Sequence, residues 1–314
     1  MLGRLSRKNT NYSTYTDSYT DFIAEESYTY RVFESNRTDS LLATYSYKVN
    51  STVRAYYSYT YNSANYISKI VDINDNEVRY YYDSLGQLVR EDNEPLGKTF
   101  VYEYDSAGNI TKKNTYPLCA EGATPAGLID INIYTYSSDD WGDLLTSFDG
   151  NAITYDAAGN PLTYPGGFTF TWQGKQLVGA AQGENVYSFT YNESGLRTSK
   201  TVNGVTTNYY WVGSLLAGEE KNGNFTRYLY DAKGSILAMQ YHSSTSSENA
   251  WTTYWFEKNL QGDVVGVYNS SGTKLVSYTY DAFGNCTATT LVTGASSAAN
   301  SRNPFRYRFI YYEK

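Results

Sequence analysis

The chain has 314 residues, of which 36 are Tyr, six Pro, two Cys and one His, and its net charge is −7. One His and two Cys exclude His-rich metal centres, four-cysteine zinc sites and disulfide-dense scaffolds, and the acidic balance argues against general binding to a phosphate backbone. A 41% hydrophobic fraction is enough for a core and 18% charged is too little for a disordered acidic tail, while no apolar run approaches the ~18 residues of a membrane span.

The first fifteen residues, MLGRLSRKNTNYSTY, show no apolar segment of the kind a signal peptide carries. Residues 1–50 alternate weakly, as in Tyr28-Thr29-Tyr30 and Tyr45-Ser46-Tyr47, and are expected to be degenerate repeats or a frayed start. From 51 to 285 a regular unit recurs. It appears as Tyr59-Thr60-Tyr61-Asn62-Ser63-Ala64-Asn65, then Tyr80-Tyr81-Tyr82-Asp83-Ser84-Leu85-Gly86, then Tyr102-Glu103-Tyr104-Asp105-Ser106-Ala107-Gly108. An insertion at 116–127 follows, and the frame returns at Ile153-Thr154-Tyr155-Asp156-Ala157-Ala158-Gly159. Weaker copies are Phe170-Thr171-Trp172-Gln173-Gly174 and Phe189-Thr190-Tyr191-Asn192-Glu193-Ser194-Gly195. Clear ones close the series at Tyr228-Leu229-Tyr230-Asp231-Ala232-Lys233-Gly234 and Tyr278-Thr279-Tyr280-Asp281-Ala282-Phe283-Gly284. The register is steady: Gly86 lies 21 residues after Asn65 and 22 before Gly108.

Each unit has a physical reading. Aromatics at i and i+2 share one face of a strand, with Thr or Glu between them on the other. Asp-x-x-Gly then makes a type I turn, the Asp carboxylate accepting from amides ahead of it and the Gly supplying a positive φ. Asn65 can replace that Gly because Asn tolerates the same backbone region. A second turn class, at 72–76, Asn203-Gly204, Asn222-Gly223 and 269–272, joins one unit to the next. Two strands per unit predict roughly 25–30 short strands, and no stretch has a sustained helical period. Residues 286–303 read as an Ala/Ser/Thr-rich loop and Asn303-Pro304-Phe305-Arg306-Tyr307-Arg308 as a final strand.

The units resemble the YD repeats of the bacterial RHS family, related to the teneurin shells of animals. The five clear Tyr-Asp-x-x-Gly copies carry the resemblance, with the 278–285 copy and Asn303-Pro304-Phe305-Arg306-Tyr307-Arg308 resembling the opening of the RHS repeat-associated core. The resemblance implies an all-β fold, a YD-repeat hairpin array wound as a spiral sheet forming part of a hollow shell. It also implies a C-terminal toxin domain as the shell's partner in an intact parent protein, and a secreted or surface location in bacteria. The division expected is 1–50 degenerate repeats, 51–285 the array and 286–314 the start of the core, truncated. After Arg308 the sequence departs from the family, so the self-cleavage segment and toxin are expected to be missing and no catalytic residue is carried over.

Tyr82, Asp83, Gly86, Tyr104, Asp105, Gly108, Tyr155, Asp156, Gly159, Tyr230, Asp231, Gly234, Tyr280, Asp281 and Gly284 are therefore expected to be structural turn residues, not acids and bases. Asp139-Asp140 with Asp143 near Trp141 reads as a solvated turn sooner than a sugar or cation site. Asp72-x-Asn74-x-Asn76 mimics the start of a calcium loop, but Glu77 stands where Gly is required. His242 reads as a loop residue and Cys119 and Cys286 as free thiols. The expectation is a non-catalytic structural shell segment, with no enzyme activity, cofactor, metal, nucleic acid or membrane span. The alternative is a carbohydrate or cell-wall binder presenting Trp141, Trp172, Trp211, Trp251 and Trp255 to glycans.

Overall fold

A computed structural model describes residues 6–12, 22–34, 37–138, 142–248, 250–292 and 294–309. Among these are 25 strands, one eight-residue α-helix, Ala295–Arg302, and two short 3-10 turns. Each strand pairs with its neighbour in the chain, giving one sheet of 12 strands and one of 13, and neither closes on itself. The fold is nearly all β, as the aromatic alternation predicts.

The chain divides into two compact units. The first comprises Met1–Tyr102, Asn114–Asp130 and Tyr254–Lys314. Its core follows from period-two burial: Tyr45, Tyr47 and Val49 are buried on Arg37–Val49, and Phe100 and Tyr102 on Lys98–Tyr104. The partner layer is the group of strands Thr252–Lys258, Val264–Tyr268 and Lys274–Tyr280. Tyr47 meets Tyr268 at a ring-centroid distance of 6.3 Å, and Tyr102 meets Phe283 at 4.9 Å. Val264–Tyr268 is buried on both faces. The helix Ala295–Arg302 packs on Lys274–Tyr280 and Cys286–Thr290, Arg302 donates to the Tyr254 hydroxyl (2.8 Å), and the Val264 amide donates to the Arg306 carbonyl (3.0 Å) in the segment after the helix.

The second unit comprises Glu103–Lys113 and Ile131–Thr253. Some of its strands are one-sided. In Phe168–Gln173 the aromatic positions are half-buried while Thr169, Thr171 and Gln173 are exposed. On the outer face, cross-strand hydroxyls pair, as Thr190 with Ser199 (2.7 Å) and Thr201 with Thr206 (2.8 Å).

Within the stretch expected to be degenerate repeats or a frayed start, Phe22–Glu34 and Arg37–Val49 form two 13-residue strands paired over most of their length. Two local expectations differ from the structure. The loop expected at 286–303 contains the strand Cys286–Thr290 and the helix, which forms with a Gly N-cap and no capping side chain. The final strand is absent: the Asn303 side chain accepts from the Phe305 amide (2.9 Å), bending the chain, and Tyr307–Phe309 is a 3-10 turn with Arg308 at φ 47°.

Candidate functional site in the repeated turns

The acids of the repeat sit in one geometry. The Gly86 amide donates to the Asp83 carbonyl (3.2 Å) and the Asp83 amide to the Gln87 carbonyl (3.0 Å), closing the turn. Asp83 Oδ1 accepts from the amides of Leu85 and Gln87, each at 2.9 Å. Asp105 and Asp156 do the same to Ala107 and Asn109, and to Ala158 and Asn160. Asp231 accepts from Lys233 and Ser235, and Asp281 from Phe283 and Asn285. Gly86, Gly108, Gly159, Gly234 and Gly284 all have φ between 76° and 91°, a region closed to most side chains. In the weaker copies Asn62 and Asn192 accept the same pairs of bonds without a charge.

Where Asn follows the Gly, its side chain extends the network. Asn109 donates to Asp105 Oδ2 (2.9 Å) and to the Gly142 carbonyl (3.0 Å), and Asn160 to Asp156 Oδ2 (2.8 Å) and the Gly174 carbonyl (2.8 Å). Each of these turns is thereby tied to a main-chain carbonyl outside it. The donors hold Asp105 and Asp156 below the usual carboxylate range, chiefly through Asn109 and Asn160. A general acid requires the opposite shift.

The Tyr hydroxyls have a role the sequence reading missed. In most copies of the repeat the second aromatic of the pair donates to a main-chain carbonyl 10 to 19 residues earlier in the chain. Tyr61 bonds Leu42 (2.8 Å), Tyr82 Ile67 (3.0 Å), Tyr155 Leu145 (2.6 Å), Tyr191 Leu177 (2.8 Å), Tyr230 Leu216 (2.8 Å) and Tyr280 Val264 (2.6 Å). Trp172 and Trp211 fill the same role with Nε1, to Pro161 (2.6 Å) and Arg197 (2.8 Å). The signal was present: Phe occupies the first aromatic position, at 170 and 189, but the second is always Tyr or Trp, a ring with a donor. Strand registers shift at this residue, between Thr60 and Tyr61, Tyr81 and Tyr82, and Leu229 and Tyr230, which places it at a bulge. Burial pushes the Tyr230 hydroxyl up to about 12. Tyr230→Phe is expected to cost about 1 kcal/mol by leaving the Leu216 carbonyl short of a donor, read as a lower urea midpoint; an unchanged midpoint would remove this role.

The other candidates are held in the fold. Asp72 accepts from the amides of Asn74 (2.8 Å) and Asn76 (3.0 Å) as a turn, not a calcium loop. His242 bonds the Ser247 carbonyl (3.0 Å) and its ring meets Trp251 at 5.1 Å, while Arg227 lies 4.1 Å over the same Trp ring. Trp255 is 3% exposed. Of the five Trp, then, 172, 211, 251 and 255 are engaged internally, and Trp141, like Asp139 and Asp140, falls outside the described residues. Asp143 is exposed, and Cys119 and Cys286 are free. Among the described residues no three His, Cys, Asp or Glu gather as a metal site.

The first unit contains a cleft of about 470 Å³ bordered by Tyr57, Tyr80, Tyr280, Glu257, Asp263 and Asp281. Its acids have partners. Glu257 Oε2 receives the Tyr268 hydroxyl (2.5 Å) and Lys274 Nζ (2.9 Å). Asp263 receives the Asn259 amide nitrogen Nδ2 (2.7 Å) and the Arg308 main-chain amide (2.8 Å). Gly266 lies beside the first pair because a Cβ there would stand 2.6 Å from Lys274 Cε and 2.8 Å from Glu257 Oε2.

The family described as RHS Repeat matches residues 82–118 and 259–296. Over 240 residues, 74% of this chain, the sequence is 32% identical to the tRNA3(Ser)-specific nuclease WapA of Bacillus spizizenii and 30% identical to the tRNA nuclease WapA of Bacillus subtilis strain 168. The matched region spans 9% of each relative. Among solved structures, a Photorhabdus luminescens Tc holotoxin pore carrying a TccC3 variant aligns over 91% of this chain and 15% of that one, with TM-score 0.68 and 16% identity. The TcdB2-TccC3 complex without its hypervariable C-terminal region aligns over 92% of this chain and 16% of that one, with TM-score 0.57 and 15% identity. These likenesses concern the fold.

Proposed function

This chain is an RHS/YD-repeat protein, and we propose on that basis that it is a non-catalytic wall segment of a bacterial toxin-delivery protein, secreted or displayed at the cell surface. One observation carries the reading: two separate stretches match the RHS repeat in an antiparallel array that shares the fold of the Tc complexes. The relatives named as tRNA nucleases support it, since the region shared with this chain is 9% of their length and leaves most of each relative to carry a nuclease. The repeat acids support it as well, because Oδ1 of each accepts from two turn amides.

In this role the chain's work is mechanical. Turn carboxylates fix each hairpin, Tyr hydroxyls fasten it to the preceding one, and the aromatic face supplies the core. The partner is a C-terminal toxin segment of the parent protein. Two measurements test the reading. The purified 314-residue chain is expected to leave a tRNA pool intact, and cleavage would overturn the non-catalytic role. In the parent protein, deleting residues 82–118 is expected to expose the C-terminal segment to protease. A segment equally protected with and without that repeat would overturn the wall role.

A further inference from the structure

The cleft of the first unit is bordered by polar groups that the repeat scheme does not use. Thr52–Tyr61 and Glu77–Tyr82 contribute Tyr57, Tyr59 and Tyr80 to its lining. Tyr59 is 8% exposed, and Tyr57 and Tyr80 are half-buried. The neighbouring hydroxyls of Tyr61 and Tyr82 are fastened to the Leu42 and Ile67 carbonyls. Those of Tyr57, Tyr59 and Tyr80 meet no hydrogen-bond partner among the described residues. Each therefore brings a free donor and a free acceptor to the same cleft.

The charge at these hydroxyls is one-sided. Asp263, which also lines the cleft, is 4% exposed and receives neutral donors, Asn259 Nδ2 (2.7 Å) and the Arg308 main-chain amide (2.8 Å). No cation stands within salt-bridge distance of it among the described residues. Glu91, 0% exposed and opposite Tyr80 in the strand register, likewise receives neutral donors: the Ala282 amide (2.9 Å), Asn93 Nδ2 (2.8 Å) and the Tyr102 hydroxyl (3.3 Å). Of the cations bordering the cleft, Lys274 is held by Glu257, and Arg54 and Arg308 are exposed. Burial first, then Glu257 and Asp72 at Tyr57 and Glu91 and Asp263 at Tyr80, push both hydroxyls well above the ordinary tyrosine range, so they stay neutral. A buried carboxylate with only neutral partners still lacks a counter-charge, and tyrosine ring faces attract a cation in their own right.

We propose that this cleft binds a small primary alkylammonium ion, its nitrogen held between Asp263 and Tyr80 with Tyr57 and Tyr59 beside it, and its chain against Ile70, Val78 and Val265. An ammonium carries three donors and no acceptor, which suits a carboxylate and phenol oxygens that have none of their own to spare. An anion would be repelled by Asp263, and a neutral ligand would leave its charge unanswered. The volume of about 470 Å³ is that of a small-molecule site. A free amine and a lysine side chain present the same group. The inference stands on the cleft alone and does not depend on toxin delivery.

An NMR titration of the 314-residue chain with n-butylammonium chloride, at neutral pH and fixed ionic strength, tests it. Shifts at the amides of Asn76, Gln261 and Ala282, which border the cleft, are expected to saturate, while the Gly159 amide in the second unit stays unmoved. n-Butanol, which lacks the charge, and butyrate, which reverses it, are expected to bind at least about tenfold more weakly. Tyr80→Phe keeps the ring and is expected to weaken n-butylammonium about fivefold, and Asp263→Asn by about tenfold or more. Tighter binding of a lysine amide blocked at its α-nitrogen would assign the site to a lysine side chain, and weaker binding to a free amine. Shifts that never saturate, n-butanol or glucose bound as tightly as the ammonium, or an affinity unaltered in both variants would each overturn the proposal. If Asp263→Asn does not fold, Tyr80→Phe and the contrast between n-butylammonium and n-butanol in the wild type decide.

Discussion

Gly284→Ala is expected to destabilise the first unit by about 3 kcal/mol, from left-handed strain and overpacking together. Gly284 has φ 91°, and an added Cβ would stand 2.6 Å from two ring atoms of Tyr307. That ring cannot simply rotate away, because its hydroxyl donates to the Ala282 carbonyl (3.2 Å) and its face lies near Tyr280. Gly97, in the same unit, is the control: its φ is also positive, at 63°, but nothing lies within 4 Å of the added atom. Gly97→Ala is expected to cost only the backbone strain, about 1 kcal/mol. Urea unfolding of both variants measures the difference, and equal midpoints would remove Tyr307 as the reason for a glycine at 284.

Lys274→Met is the second large effect, expected at about 3–5 kcal/mol. It leaves the carboxylate of Glu257, 1% exposed, with only the Tyr268 hydroxyl. The pair is costly to break because the remaining charge has no water to turn to. Glu257→Gln combined with Lys274→Met removes both charges and is expected to recover a large part of the loss. A double variant no more stable than Lys274→Met alone would show that the lysine acts through packing of its stem, which also lies near the Tyr268 ring.

What was legible in the sequence was local and repeated. Asp83 to Gly86 states its own turn, because a carboxylate, two intervening amides and a glycine are all within five residues. Period two along Phe168–Gln173 states its own faces. The donor on the second ring was equally open to view in the choice of Tyr or Trp over Phe, but aromatic packing alone is a sufficient reason for such residues on a strand and hid the second one. Glu91 was not legible. In Arg90-Glu91-Asp92-Asn93 it reads as one more polar strand residue, and its partner amide is supplied by packing between segments that no spacing rule connects. The division into two units was hidden for the same reason: Thr252–Lys258 and its neighbours continue the hairpin order while their side chains pack against Tyr47 and Tyr102. The helix Ala295–Arg302 carries neither a capping side chain nor an acidic first turn to announce it.

Asp83 offers the most direct measurement, since a non-catalytic scaffold requires the repeated acid to be a turn acceptor and not a proton donor. The two bonds to Asp83 Oδ1 need an oxygen, not a charge, and Asn62 and Asn192 already supply one in their own turns. Urea midpoints for Asp83→Asn and Asp83→Ala separate the two roles. The Asn variant is expected to stay within about 0.5 kcal/mol of the wild type and the Ala variant to lose about 1 kcal/mol. An Asn variant as damaged as the Ala variant, or an Ala variant with no loss, would contradict the turn assignment.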